Sequence, residues 1–96
     1  MSVEQIFQDE INESERWINT AEGIYKRDLI KRIEVINWVL ENLKSPDICA
    51  IIESRMKGII IEINKKNSII EKDPLDSELR ILDWTLYQVC SNEVKI

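Results

Sequence analysis

Apolar residues recur along the first half of this chain with a helical period. Val3, Phe7, Ile11, Ile18, Ala21, Tyr25, Leu29, Ile36, Leu40 and Leu43 follow one another at steps of three, four or seven. On a straight helix they occupy an arc of roughly 100°, the width of one buried face. The pattern predicts a long amphipathic helix over 3–44. A second ridge, Ile6, Trp17, Ile24, Val35 and Trp38, lies about 100° from the first on the same helix. Two further stripes follow. Ile48, Ile52, Met56, Ile59, Ile63 and Ile70 predict a helix over 46–72, with Arg55 and Lys66 snorkelling across it. Leu75, Leu79, Leu82, Leu86, Val89 and Cys90 predict another over 74–92.

Local signals set the ends. Ser2 followed by Gln5 three residues later reads as a capping box. Ser45-Pro46-Asp47 and Asp73-Pro74-Leu75 each place a cap before a proline at the first helical position. The expected fold is all-α: a three-helix bundle with a long N-terminal helix (3–44) and a following helical hairpin (46–72, 74–92), within one domain spanning 1–96. Gly23 opens an alternative, because glycine often ends a helix. A break there gives a four-helix bundle. The stripe crosses Gly23 without changing phase, and Gly23-Ile24-Tyr25-Lys26-Arg27 holds no capping residue. Both features favour a continuous, coiled-coil-like rod.

Such a rod would be about 60 Å long, more than the following hairpin covers. Its uncovered end exposes Ile6, Phe7 and Ile11. Trp17, Ile24 and Trp38 on the second ridge, with Trp84 off the last helix's stripe, are expected as interface anchors, since indole buries much area and keeps a polar edge. These seven residues form the expected protein interface. The expected partners are a second copy, as a homodimer or higher, and another protein.

Composition narrows the chemistry. Apolar residues make up 44% and charged residues 32% of the 96, enough for a core and a solvated exterior. Two glycines and two prolines supply too few turns for an all-β fold. There is no histidine, so the commonest general base and zinc ligand is missing. No phosphate loop, nucleophile elbow or calcium loop can be found. No metal, cofactor or catalytic residue is expected. Cys49 and Cys90 are expected to be reduced core residues in a cytoplasmic protein. The N-terminus lacks a signal-peptide pattern, and the longest apolar run, Ile59-Ile60-Ile61, is far short of a membrane span.

The net charge of −5 disfavours a polyanionic partner. Its distribution is uneven: 1–22 carries −5, 23–44 carries +2, 45–72 carries +1 and 73–96 carries −3. The expected function is a small non-enzymatic interaction module, an adaptor or regulator of a larger assembly. It self-associates through the apolar surface of the N-terminal helix. One alternative is a nucleic-acid-associated regulator using Lys26, Arg27, Lys31, Arg32, Arg55, Lys57, Lys65 and Lys66. Another is a helical enzyme binding an anionic metabolite through Arg16, Arg27, Lys31 and Arg55. The expected outline is similar to that of the small helical chorismate mutases, in which a long first helix and two shorter ones hold such a site by electrostatics. That likeness is architectural and carries no residue over.

Overall fold

A computed structural model describes residues 2–90. All regular secondary structure in it is α-helical, in four helices: α1 (Val3–Ile18), α2 (Gly23–Asn42), α3 (Ile48–Lys65) and α4 (Ile69–Cys90).

The continuous helix over 3–44 is therefore corrected. The chain breaks at 19–22, where Ala21 N–H and the Thr20 hydroxyl both bond the Trp17 carbonyl and close the last turn of α1. Gly23 then takes φ +62, a left-handed conformation that costs glycine nothing and other residues about 1–2 kcal/mol. This lets α1 fold back onto α2. Ala21 stays buried inside the turn and Leu29 beyond it, so the apolar pattern keeps its phase while the chain reverses.

The second boundary also moves. The helix expected over 46–72 ends at Lys65, and the last helix starts at Ile69 rather than 74. Ser68 supplies the start signal: its Oγ accepts from Glu71 N–H at 3.2 Å and donates to the Glu71 carboxylate at 3.1 Å, capping the orphan donors of the first turn. Pro74 sits inside α4. Asp73 does not cap a helix; it takes Arg27 of α2 at 2.8 Å. The Ser2 cap is as expected, accepting from Gln5 N–H at 3.1 Å.

In space α1 packs on α2, α2 on α4, and α4 on α3. The result measures 41 × 33 × 21 Å, about two helix diameters thick. Its core joins Phe7 and Ile11 of α1, Val35, Ile36 and Val39 of α2, Ile48, Ile52 and Ile59 of α3, and Ile81 and Leu82 of α4. Small buried Ser77 and Thr85 share the α4 face with Ile81. Thr85 donates to the Leu82 carbonyl at 2.8 Å, so its hydroxyl is satisfied. Leu79 and Leu86, expected in the core stripe, are only half-buried at its margin.

Cys49 and Cys90 form a disulfide joining the start of α3 to the end of α4. This corrects their reading as reduced thiols, and with it the cysteine argument for a reducing cytoplasm. Among the described residues, no helix is long and apolar enough to cross a membrane.

Candidate functional site

The break redistributes the seven expected interface residues. Phe7 and Ile11 are buried inside the same chain, so they are corrected from surface to core. Folding α1 back supplies the cover that a straight rod would lack. Ile6 is half-buried and packs against that core. Trp84 is half-buried with its ring 5.5 Å from that of Phe7. Trp38 is half-buried under the Arg55 guanidinium, 4.4 Å from the ring centroid, a cation–π arrangement. Trp17 and Ile24 remain at the surface, 47% and 62% exposed.

Those two flank the α1–α2 elbow. A cavity of about 280 Å³ opens there between the helices. Ser14 and Trp17 of α1 and Tyr25 and Leu29 of α2 line it, with Glu10, Glu13 and Arg32 at its polar margin. Leu29 and Ser14 are buried, whereas Tyr25 is 57% exposed. The Trp17 indole N–H donates to Glu13 at 2.8 Å, and Glu13 also holds Arg16 at 3.2 Å. Arg32 donates to Glu10 at 3.0 Å and ties the two helices together. The cavity is thus a cup of mixed lining, with Trp17, Tyr25 and Leu29 beside Ser14 and a charge-paired rim of Glu10, Glu13 and Arg32. It suits an apolar side chain better than an ion, and it pairs no nucleophile with a base. Tyr25 and Leu29 were placed by sequence on the buried stripe. Only the reversal beside them shows that they share a cup with Trp17.

The cations behind the alternative readings are largely engaged within the chain. Arg27 pairs with Asp73 at 2.8 Å, and Arg32 with Glu10. Lys31 and Arg55 converge on Glu78 at 3.5 and 3.0 Å. These pairs join α1 to α2, α2 to α4 and α3 to α4. They act as inter-helix ties rather than as a free cationic patch. Arg16 is paired with Glu13 and Lys65 with Glu62. Among the described residues, no group of three or more His, Cys, Asp or Glu side chains is placed to hold a metal ion. The long first helix on which the chorismate mutase outline rested is absent. No protein-family model, curated protein or solved structure matches the chain.

Proposed function

We propose that this four-helix chain is a non-enzymatic protein interaction module, an adaptor or regulator of a larger assembly, that receives an amphipathic helix of a partner at the α1–α2 elbow. The supporting observation is the exposure of Trp17 and Tyr25, which line the cavity at the elbow, and of the adjacent Ile24. The other two tryptophans are occupied inside the chain. An exposed indole at the edge of a concave site, with its N–H already bonded to Glu13, costs little to desolvate and anchors a helix-in-groove contact well. Relative to the expected N-terminal interface, the proposed face keeps Trp17 and Ile24 and gives up Phe7 and Ile11.

Affinity capture from the source cells tests this. The bait is the wild-type protein, compared with a Trp17→Ala, Ile24→Ser double variant whose helicity is checked by circular dichroism. A partner retained by wild type and lost by the variant supports the reading. Equal retention by both baits removes the elbow as the docking surface. The nucleic-acid alternative is weakened by the inter-helix pairing of Arg27, Arg32, Lys31 and Arg55.

A further inference from the structure

The two most exposed large apolar side chains sit side by side. Ile69 and Ile70 open α4 and are 84% and 83% exposed. No other large apolar residue among the described ones exceeds 67%. The isoleucine pattern predicts Ile70 on the buried stripe of a helix over 46–72; the turn at 66–68 ends that helix and leaves it facing outward. Neither isoleucine joins the core or lines the cavity at the elbow. The pair is a projection rather than a groove, and no packing within the chain accounts for it.

Charge is distributed unevenly around this tip. Lys66 and Lys72 flank the pair, and neither makes an ion pair among the described residues. The two acids of the same stretch are already engaged, Glu71 by the Ser68 hydroxyl at 3.1 Å and Asp73 by Arg27 at 2.8 Å. The pairs Arg27–Asp73 and Lys31–Glu78 set α2 parallel to α4. The turns at 19–22 and 66–68 therefore lie at one end of the molecule and the disulfide at the other. Cut across the helices at the level of the Arg32–Glu10 pair, the half nearer the tip, 11–32 and 58–80, holds nine acids and nine bases. The far half, 2–10, 33–57 and 81–90, holds eight acids and three bases. The net negative charge of the described residues thus lies wholly in the half away from the tip.

We propose that the Ile69–Ile70 tip docks end-on to an anionic phospholipid bilayer. The aliphatic pair enters the boundary between headgroups and acyl chains, a soft medium that accepts a projection without a matching groove. Lys66 and Lys72 reach the lipid phosphates while their alkyl stems lie along the apolar layer. The field of such a surface fades within a Debye length of about 8 Å. The acidic half begins about 16 Å from the tip, counted from Ile70 to Ile81 at 1.5 Å per residue. Its charge is therefore largely screened when the tip is in contact, and the net charge of −5 does not oppose docking by this end. The inference uses α4 and the turn before it, and does not rest on the elbow reading.

Co-sedimentation of the full chain with vesicles of phosphatidylcholine, alone or with phosphatidylserine added, tests the proposal at low and high salt. Wild type is expected to bind the anionic vesicles, more weakly as salt rises, and the neutral ones about tenfold less. Ile69→Ser with Ile70→Ser, and Lys66→Glu with Lys72→Glu, are each expected to lose about tenfold in binding to anionic vesicles. Lys44→Glu with Lys57→Glu makes the same charge change in the far half and is expected to bind within about twofold of wild type. Circular dichroism confirms that all three variants are folded. A wild type that ignores anionic vesicles overturns the proposal. So does binding that either tip variant retains, equal binding to both kinds of vesicle, or an equal loss in the Lys44, Lys57 variant. A protein partner captured by wild type and lost by the isoleucine variant, with no vesicle binding, makes the tip a protein contact and overturns the membrane assignment.

Discussion

Gly23 and Gly58 show how one residue type does opposite work at two places. Neither has any atom within 4 Å of where a Cβ would stand, so substitution by alanine acts through the backbone alone. Gly23 holds φ +62, and Gly23→Ala is expected to destabilise the protein by about 1 kcal/mol. Gly58 lies inside α3, where alanine is the better helix former, and Gly58→Ala is expected to stabilise it by about 0.5–1 kcal/mol. Urea unfolding midpoints of the two variants should move in opposite directions. A Gly23→Ala midpoint that rises with that of Gly58→Ala would mean that the chain does not reverse at that glycine. Gly23 is visible in the sequence as a doubtful point of the first helix. The phase of the stripe is what misleads. A periodic pattern records which residues face apolar surroundings, and not the direction in which the chain travels between them.

Between elements, charged side chains do much of the joining. Glu78 is only 13% exposed and receives Lys31 of α2 and Arg55 of α3, while Arg55 also covers Trp38. One carboxylate thus ties three helices. Glu78→Gln leaves two cations around a neutral amide in a mostly dry site. It is expected to cost about 2 kcal/mol, below the range for a fully buried pair because Arg55 and Lys31 are each about a third exposed. A double-mutant cycle with Arg55→Met, followed by urea unfolding, separates the pair's coupling from the rest. The sequence shows Arg55 interrupting an isoleucine stripe and invites a snorkelling explanation. Nothing local names its partner, which is 23 residues away. The ends of α4 teach a similar lesson. Ser68-Ile69-Ile70-Glu71 and Asp73-Pro74 are both plausible helix starts. The earlier one prevails because Ser68 and Glu71 satisfy each other and Asp73 is engaged by Arg27.

At the scale of the whole molecule, the Cys49–Cys90 bridge closes a loop of 41 residues around the α3–α4 hairpin. Restricting that loop in the unfolded chain is worth about 4 kcal/mol in the chain-entropy model, a large share of the roughly 5–15 kcal/mol that a domain usually has. Cys49→Ser, or reduction of the wild type, is expected to lower the urea midpoint by a corresponding amount. An unchanged midpoint under reductant would show that the bridge contributes nothing to the folded state. The spatial order α1–α2–α4–α3 sets α1 and α3 at the two ends of the series. That is why the cup at Trp17 and the tip at Ile70 belong to different helix pairs.

The all-α class, the cap at Ser2, a helix start beside Pro46 (at Ile48, where 46 was expected) and most of the buried positions follow from periodicity and end signals, which are local properties of the chain. The reversal at residues 19–22, the disulfide, the tie at Glu78 and the placing of Leu79 and Leu86 at the core margin belong to the tertiary structure. Each depends on which distant residue arrives as a neighbour. A helical stripe is consistent with several sets of neighbours, because burial is favourable whichever apolar surface supplies it. Only packing selects which edge of each stripe is left facing outward, and therefore which surface is open to a partner.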